Sequence, residues 1–414
     1  MQTLAKLKSG ELDGVKRLTL AEGLSEFPEE IFNLRETLEV LDLTGNSLSS
    51  LPDNFDCLKR LKILFLSNNN FEVLPSVLGR CGCLGMIGFK SNRISVVPEE
   101  ALPPQTRWLI LTDNCITELP DSIGSLHRLQ KLMLAGNQLS RLPGSIARCE
   151  NLQLLRISAN QLLSFPEQLF NLPCLAWLAF AGNPFCYSDD SEAGLPEIDV
   201  DDLVIGEVLG DGASGVISRA HWREGPFTFP ENVAVKLFKG GVTSDGFVQD
   251  ELRATLMVGR HNNLVSPLAS IPGKGLVMRL IPDGYRNLAG PPSLESCTRD
   301  VFAEGTSLRL VLIEALVEQV EAVVEHIHSM MLCHGDLYAH NMLLDESSGH
   351  VLLGDFGAAS HYRAQSVYVS EGVRRIEKRA LGFFIEDILS VCDIGARDSA
   401  GYRLLSLKAR NYIT

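Results

Sequence analysis

The residues best placed to do chemistry lie in the C-terminal half of the chain. Gly210, Gly212 and Gly215 form G-x-G-x-x-G within residues 205–220, which read as strand, glycine turn, strand. No helical pattern follows that turn, which argues against a dinucleotide-binding βαβ unit. Lys236 ends the β-branched run Val233-Ala234-Val235. A lysine at a strand end is ordinarily solvated, so one set in an apolar run points to a functional ammonium. Residues 247–259 have helical spacing and carry Asp250 and Glu251. Then come His334-Gly335-Asp336-Leu337-Tyr338-Ala339-His340-Asn341 and, with Asp355 14 residues beyond Asn341, Asp355-Phe356-Gly357. His334 and His340 read as structural, because a histidine in a packed loop usually bonds a backbone carbonyl.

In this order the four motifs resemble the protein kinase domain, over about residues 203–414. The resemblance implies a role for each matching residue. The loop of Gly210, Gly212 and Gly215 folds over the ATP phosphates, where glycine lets a backbone approach closely. Lys236 holds the α- and β-phosphates and pairs with Glu251, with Asp250 as the rival partner one residue away. Asp336 accepts the proton of the substrate hydroxyl. Asn341 and Asp355 hold magnesium, which takes hard oxygen ligands and bridges phosphate oxygens. Met278 precedes the hinge, where Arg279 and Ile281 offer backbone groups to adenine. The implied cofactors are ATP and Mg2+.

Three departures from the kinase pattern stand out. Gly335 replaces the arginine that answers an activation-loop phosphate, so no such phosphate is expected to be needed. Ser360, Ser366 and Ser370 are hydroxyls that could be phosphorylated without effect, and Arg374 and Arg375 are the other basic groups within reach. Tyr338 replaces a basic residue near the transferring phosphoryl group, and His-Gly-Asp is similar to the loop of small-molecule phosphotransferases such as aminoglycoside kinases. No Ala-Pro-Glu is present, Glu377 stands for the aspartate that opens the F helix, and 32 residues follow Gly382. The C-lobe is therefore expected to be short and its peptide-docking floor reduced.

The elements that must position these groups follow from the pattern. Residues 308–330 form a long apolar-periodic helix leading into the Asp336 loop. The first half is a repeat: Asn46, Asn69, Asn92, Asn114, Asn137, Asn160 and Asn183 are spaced 23, 23, 22, 23, 23 and 23. Prolines keep the same period from Pro28 to Pro166. The L-x-L of each unit predicts a short strand with leucines inward, and the Asn amide can satisfy backbone groups at the bend. A single unit cannot bury its leucines, so neighbours must stack. These units resemble leucine-rich repeats of the 23-residue type over about residues 15–186. Counting back from each Asn, the concave face carries Val40/Asp42, Ile63/Phe65, Met86/Gly88, Trp108/Ile110, Lys131/Met133, Leu154/Arg156 and Trp177/Ala179. Exposed aromatic and Met side chains there suggest a protein partner seated on Phe65, Trp108, Ile110, Met133 and Trp177. The alternative is that they pack against the array's flanks or the second domain.

Between the halves, residues 187–202 carry seven acids and no base, which predicts a solvated, extended linker. The whole chain has 414 residues and a net charge of −14, which excludes nucleic acid or an anionic membrane as the main partner. No run is long and apolar enough to span a membrane, and the N-terminus has no secretory apolar stretch. The ten cysteines show no zinc spacing and read as reduced, so the expected location is cytoplasmic.

The expected architecture is an α/β solenoid, a leucine-rich-repeat horseshoe over 1–186. After the linker at 187–202 comes a two-lobed α+β protein-kinase-like domain over 203–414. The expected function is an ATP-dependent protein kinase, Ser/Thr by default, whose array recruits a protein. A nucleotide-binding pseudokinase scaffold and a small-molecule phosphotransferase are the alternatives.

Overall fold

The computed structural model describes residues 2–186, 195–212, 214–224 and 229–414. It divides into two compact units, Met1–Leu175 and Ala176–Thr414.

The first unit opens with helix α1 (Leu4–Lys8), followed by seven three-residue strands: β1 (Arg17–Thr19), β2 (Val40–Asp42), β3 (Ile63–Phe65), β4 (Met86–Gly88), β5 (Trp108–Ile110), β6 (Lys131–Met133) and β7 (Leu154–Arg156). They pair in parallel and in strict register. Leu18, Leu41, Leu64, Ile87, Leu109, Leu132 and Leu155 stand side by side and are fully buried. The asparagines form a second ladder. Asn69 donates to Leu43 O at 3.0 Å and Leu66 O at 3.1 Å and accepts from Leu48 N at 2.9 Å. Each such bond is worth about 1 kcal/mol net, but an unmet buried amide costs more, which is why the residue recurs at every bend. Pro75, Pro98, Pro120 and Pro143 each precede a short 3-10 helix on the return side.

On the concave face Val40, Ile63, Phe65, Trp108, Ile110 and Met133 are partly exposed, whereas Met86, Lys131, Leu154 and Arg156 are buried. Trp108 is half-buried rather than free. Its Nε1 donates to Met133 Sδ at 3.4 Å, and Lys131 Nζ lies 4.4 Å from its ring centroid.

The second unit begins with β8 (Trp177–Ala179). Its N-lobe is a five-stranded antiparallel sheet ordered β12-β13-β11-β10-β9, made of β9 (Leu203–Asp211), β10 (Gly215–Trp222), β11 (Asn232–Phe238), β12 (Pro267–Ile271) and β13 (Gly275–Arg279), with α2 (Val248–Val258). The rest holds β14 (Tyr285–Asn287), α3 (Leu310–Ser329), β15 (Leu332–Cys333), β16 (Met342–Asp345), β17 (His350–Leu353), β18 (Ser360–His361), α4 (Val367–Ser390) and α5 (Ala400–Ile413). A 3-10 turn (Ile394–Ala396) and α5 follow α4.

Two expectations are corrected. Trp177 does not lie on an open face: it is 1% exposed, because its ring is packed within the second unit. The acidic stretch is also not uniformly solvated. Residues 187–194 lie outside the described residues, but Ile198 N donates to Ser270 O and Ser270 N to Pro196 O, both at 3.0 Å. Ile198 and Val200 pack on the N-lobe core of Leu203, Trp222 and Val233. The apolar residues set between the acids find burial there, which offsets the pull of charge toward water. Among the described residues no helix is long and apolar enough to cross a membrane.

Candidate active site

Strand β11 delivers Lys236 from its apolar run, with Val233 and Val235 buried in the sheet core. Helix α2 delivers Glu251 on its buried stripe with Val248, Ala254, Thr255 and Val258. The two side chains meet as a hydrogen-bonded ion pair, and Lys236 Nζ is also 3.6 Å from Asp355 Oδ1. Burial works against the Lys236 charge, but the Asp355 and Glu251 carboxylates outweigh it and hold the ammonium pKa above the usual lysine value. The choice between Glu251 and Asp250 is thereby resolved. Asp250 makes no bond to Lys236, and burial pushes its carboxyl up to about 6.

The loop after β15 brings Asp336 and Asn341 together. Asn341 Nδ2 donates to Asp336 O at 2.9 Å and to Asp336 Oδ2 at 2.8 Å. His334 Nδ1 accepts from Asp336 N at 3.3 Å while its Nε2 donates to Gly354 O at 3.0 Å. A carbonyl only accepts, so these bonds select the neutral tautomer protonated on Nε2. His334 thus ties the Asp336 loop to the strand end that carries Asp355. Asp355 has a left-handed backbone, with φ of 57°, and Gly357 N donates to its Oδ1 at 3.3 Å. Phe356 is buried against the His334 ring, with centroids 5.0 Å apart. His340 Nδ1 bonds Asp300 Oδ1 at 2.6 Å. Burial opposes the His340 charge, but Asp300 outweighs it and raises its pKa. Both histidines thus have structural bonds.

The glycine positions separate into two kinds. A Cβ on Gly215 would lie 2.5 Å from Leu237 O, so this glycine is required by the close approach of β10 to β11. Gly210 has open space around its Cβ position, and at Gly212 the nearest atom would be 3.8 Å away. A ligand can approach the backbone there. Lys239 closes this turn through an ion pair with Asp211 and a 3.4 Å bond to Gly212 O. Arg279 N donates to Ser266 O at 3.0 Å, so this amide is taken up by the neighbouring chain segment. Ile281 is half-buried beside it.

Glu377 was expected to open the F helix, but it lies inside α4, well past the helix start at Val367, and the bonds it makes were not foreseen. Its Oε1 accepts from His334 N at 2.6 Å and Gly335 N at 2.9 Å, and its Oε2 takes His328 Nε2 at 2.7 Å. Asp300, the partner of His340, was missed outright. It lies 40 residues from His340 in sequence, with no motif of its own.

The reading of the candidate phosphoserines changes as well. Ser360 is fully buried, Ser366 caps α4 by accepting from Val369 N, and Ser370 is buried inside α4. Ser360 and Ser370 are not open to modification in this state. Arg374 is committed to Tyr362 Oη at 3.1 Å and His328 O at 3.0 Å.

Residues 203–379 match the protein tyrosine and serine/threonine kinase family, and residues 14–71 match the leucine rich repeat. Fibroblast growth factor receptor 1 of Pleurodeles waltl is 26% identical over 200 residues, covering 44% of this chain and 24% of the receptor. A probable serine/threonine-protein kinase of Dictyostelium discoideum is 31% identical over 168 residues, covering 39% of this chain and 11% of that protein. This chain thus spans about a quarter or less of the length of these relatives. A solved leucine-rich-repeat protein of Leptospira interrogans is 28% identical, covers 42% of this chain and 51% of that one, and has a TM-score of 0.36. The chain carries leucine-rich repeats followed by a protein kinase domain.

Proposed function

We propose that this protein is an ATP-dependent protein kinase, Ser/Thr by default, whose repeats recruit a protein partner or substrate. The observation that carries the reading is the bridge of Lys236 to Glu251 and Asp355, joined through His334 to the Asp336–Asn341 loop. A buried ammonium held between two carboxylates is costly unless it has work to do. Lys236 is placed to bind phosphate oxygens, with Gly210 and Gly212 leaving room for the backbone to approach them. Asp336 is held by Asn341 through Oδ2 and its backbone carbonyl, and its carboxylate is the group proposed to receive a hydroxyl proton. The donor set fits magnesium: Asn341 and Asp355 offer hard oxygens, and the Asp355 side chain is about half exposed. When bound, the metal would neutralise charge on the phosphates.

The test is transfer of label from γ-labelled ATP to protein acceptors, with thermal melting alongside. Mg-ATP is expected to raise the melting temperature of the second unit by mass action. Asp355→Ala is expected to remove the magnesium dependence of that rise. Absence of any shift with ATP or ADP at millimolar levels, together with no transfer, would leave a scaffold rather than an enzyme.

For the repeats, the proposed partner seat is the partly exposed set Phe65, Trp108, Ile110 and Met133, without Trp177. Trp108→Glu is expected to lower the melting temperature little, since a half-buried position on the strand face opposite the leucine ladder costs about 1 kcal/mol or less. It is expected to weaken capture of the partner, because the carboxylate would be desolvated on binding. A large loss of stability would assign Trp108 to the core instead.

A further inference from the structure

Trp177 lies 159 residues before Asp336 in sequence, yet it is bonded to the residue that follows Asp336. Its Nε1 donates to Leu337 O at 3.1 Å. Its ring stacks on Tyr338 with centroids 4.4 Å apart and planes 8° from parallel, and its neighbour Phe383 stacks at 5.4 Å. Tyr338 is also flanked by His340, with centroids 5.0 Å apart. The peptide on the C-terminal side of Asp336 is therefore gripped at its carbonyl and at the next side chain.

The following residues grip the segment beyond Asp355. Phe180 N and Ala181 N donate to Ser360 Oγ at 2.9 and 3.0 Å, and Ser360 Oγ donates to Ala358 O at 3.3 Å. Ser360 pairs with Cys333 across β18 and β15, one residue before His334. Gln365 Nε2 adds a 2.8 Å bond to Phe185 O. Gly335 shows how closely this arrangement fits. Its φ is +72°, and a Cβ there would lie 2.6 Å from Ala358 O and 2.7 Å from Leu178 O. Any side chain at 335, including the arginine that would receive a loop phosphate, meets the backbone of β8.

We propose that Trp177 is a positioning residue for phosphoryl transfer. Together with the Phe180 and Ala181 amides on Ser360, it holds the Asp336 loop in working geometry. It thereby does the ordering that a loop phosphate would otherwise do. The proposal rests on the kinase reading above. The physical basis is preorganisation: a loop already fixed by packing and hydrogen bonds loses little further entropy when the reacting groups align.

The test uses the full chain with Trp177→Leu, Trp177→Phe and Ser360→Ala. It reads kcat and KM for ATP, the Mg-ATP melting shift, and hydrogen exchange of residues 333–341. Trp177→Leu is expected to lower kcat tenfold or more, which is about 1.4 kcal/mol of barrier. KM for ATP is expected to stay within threefold, and exchange of 333–341 to speed up. Trp177→Phe keeps a ring on Tyr338 and is expected to recover most of kcat. A folded Trp177→Leu protein with kcat within twofold of wild type, or with unchanged exchange at 333–341, overturns the proposal. So does a rise in KM for ATP as large as the fall in kcat, because the damage would then lie in nucleotide binding. Should Trp177→Leu fail to fold, Ser360→Ala decides. A threefold or greater loss of kcat with faster exchange supports the proposal, and wild-type values overturn it. If the wild type transfers no phosphoryl group, the kinase reading fails by itself, and the exchange measurement still shows whether Trp177 holds the loop.

Discussion

Asp336→Ala is expected to lower the rate of phosphoryl transfer by about 10²–10⁴-fold, the range that a positioned general base contributes. The Mg-ATP melting shift is expected to survive. The separation follows from the geometry. Asp336 is tied to Asn341 through Oδ2 and its backbone carbonyl, whereas the ammonium proposed to bind phosphate is Lys236, tied to Glu251 and Asp355. Removing the Asp336 carboxylate takes away the proposed proton acceptor and one Asn341 contact, but the second Asn341 bond, to the backbone, remains. The paired measurement is kcat by label transfer and the melting temperature with and without Mg-ATP. Residual transfer within tenfold of wild type would mean that Asp336 is not the base. Loss of the Mg-ATP shift would mean that it serves nucleotide binding instead.

The motifs were legible because each sits on an element whose period is written in the residues. Val233, Ala234 and Val235 announce a buried strand, and Lys236 follows. Even the choice of Glu251 over Asp250 had a signal. Val248, Glu251, Thr255 and Val258 recur at helical spacing, so Glu251 shares the buried stripe while Asp250 stands off it. The repeats were legible for the same reason: a ladder of identical bends needs the same amide at every step.

Trp177 was misplaced because its unit was read by analogy with the others. Its strand, Trp177-Leu-Ala179, is apolar on both faces, but so are Ile63-Leu-Phe65 and Trp108-Leu-Ile110, whose concave side chains stay partly exposed. The strand's own residues therefore carried no signal, and the covering residues, Leu337 and Tyr338, lie far along the chain. Asp300 was illegible for a related reason. A lone carboxylate becomes the partner of His340 only through long-range packing, and no local period points to it. The acidic stretch misled through its charge. Its seven acids outweighed Ile198 and Val200 in the composition, although two well-placed apolar side chains suffice to dock it on β12.

Glu377→Ala is expected to cost the second unit about 3–5 kcal/mol, the range for stripping one partner from a buried charged network. Glu377 is 2% exposed and receives three hydrogen bonds, from His334 N, Gly335 N and His328 Nε2. Alanine would leave two backbone amides of the Asp336 loop and one imidazole buried without their acceptor. Glutamine is expected to cost much less, about 1–2 kcal/mol. Its carbonyl can take the two amides, and its NH2 can face His328 in the tautomer that accepts. The pH dependence has a definite sign. Burial works to raise the Glu377 pKa, but the His328 bond and charge and the Gly335 amide outweigh it and hold the carboxyl below the usual glutamate value. A depressed acid contributes stability that is present above the unfolded pKa, near 4.3, and is lost as pH falls through the folded value. The wild type is therefore expected to lose stability below about pH 4.3 more steeply than Glu377→Gln, which has no proton to take up there. Denaturant unfolding followed by tryptophan fluorescence, with Trp177 and Trp222 both in the second unit, measures the cost. A loss under 1 kcal/mol for Glu377→Ala, or identical acid limbs for wild type and Glu377→Gln, would show that the Asp336 loop is held without this carboxylate.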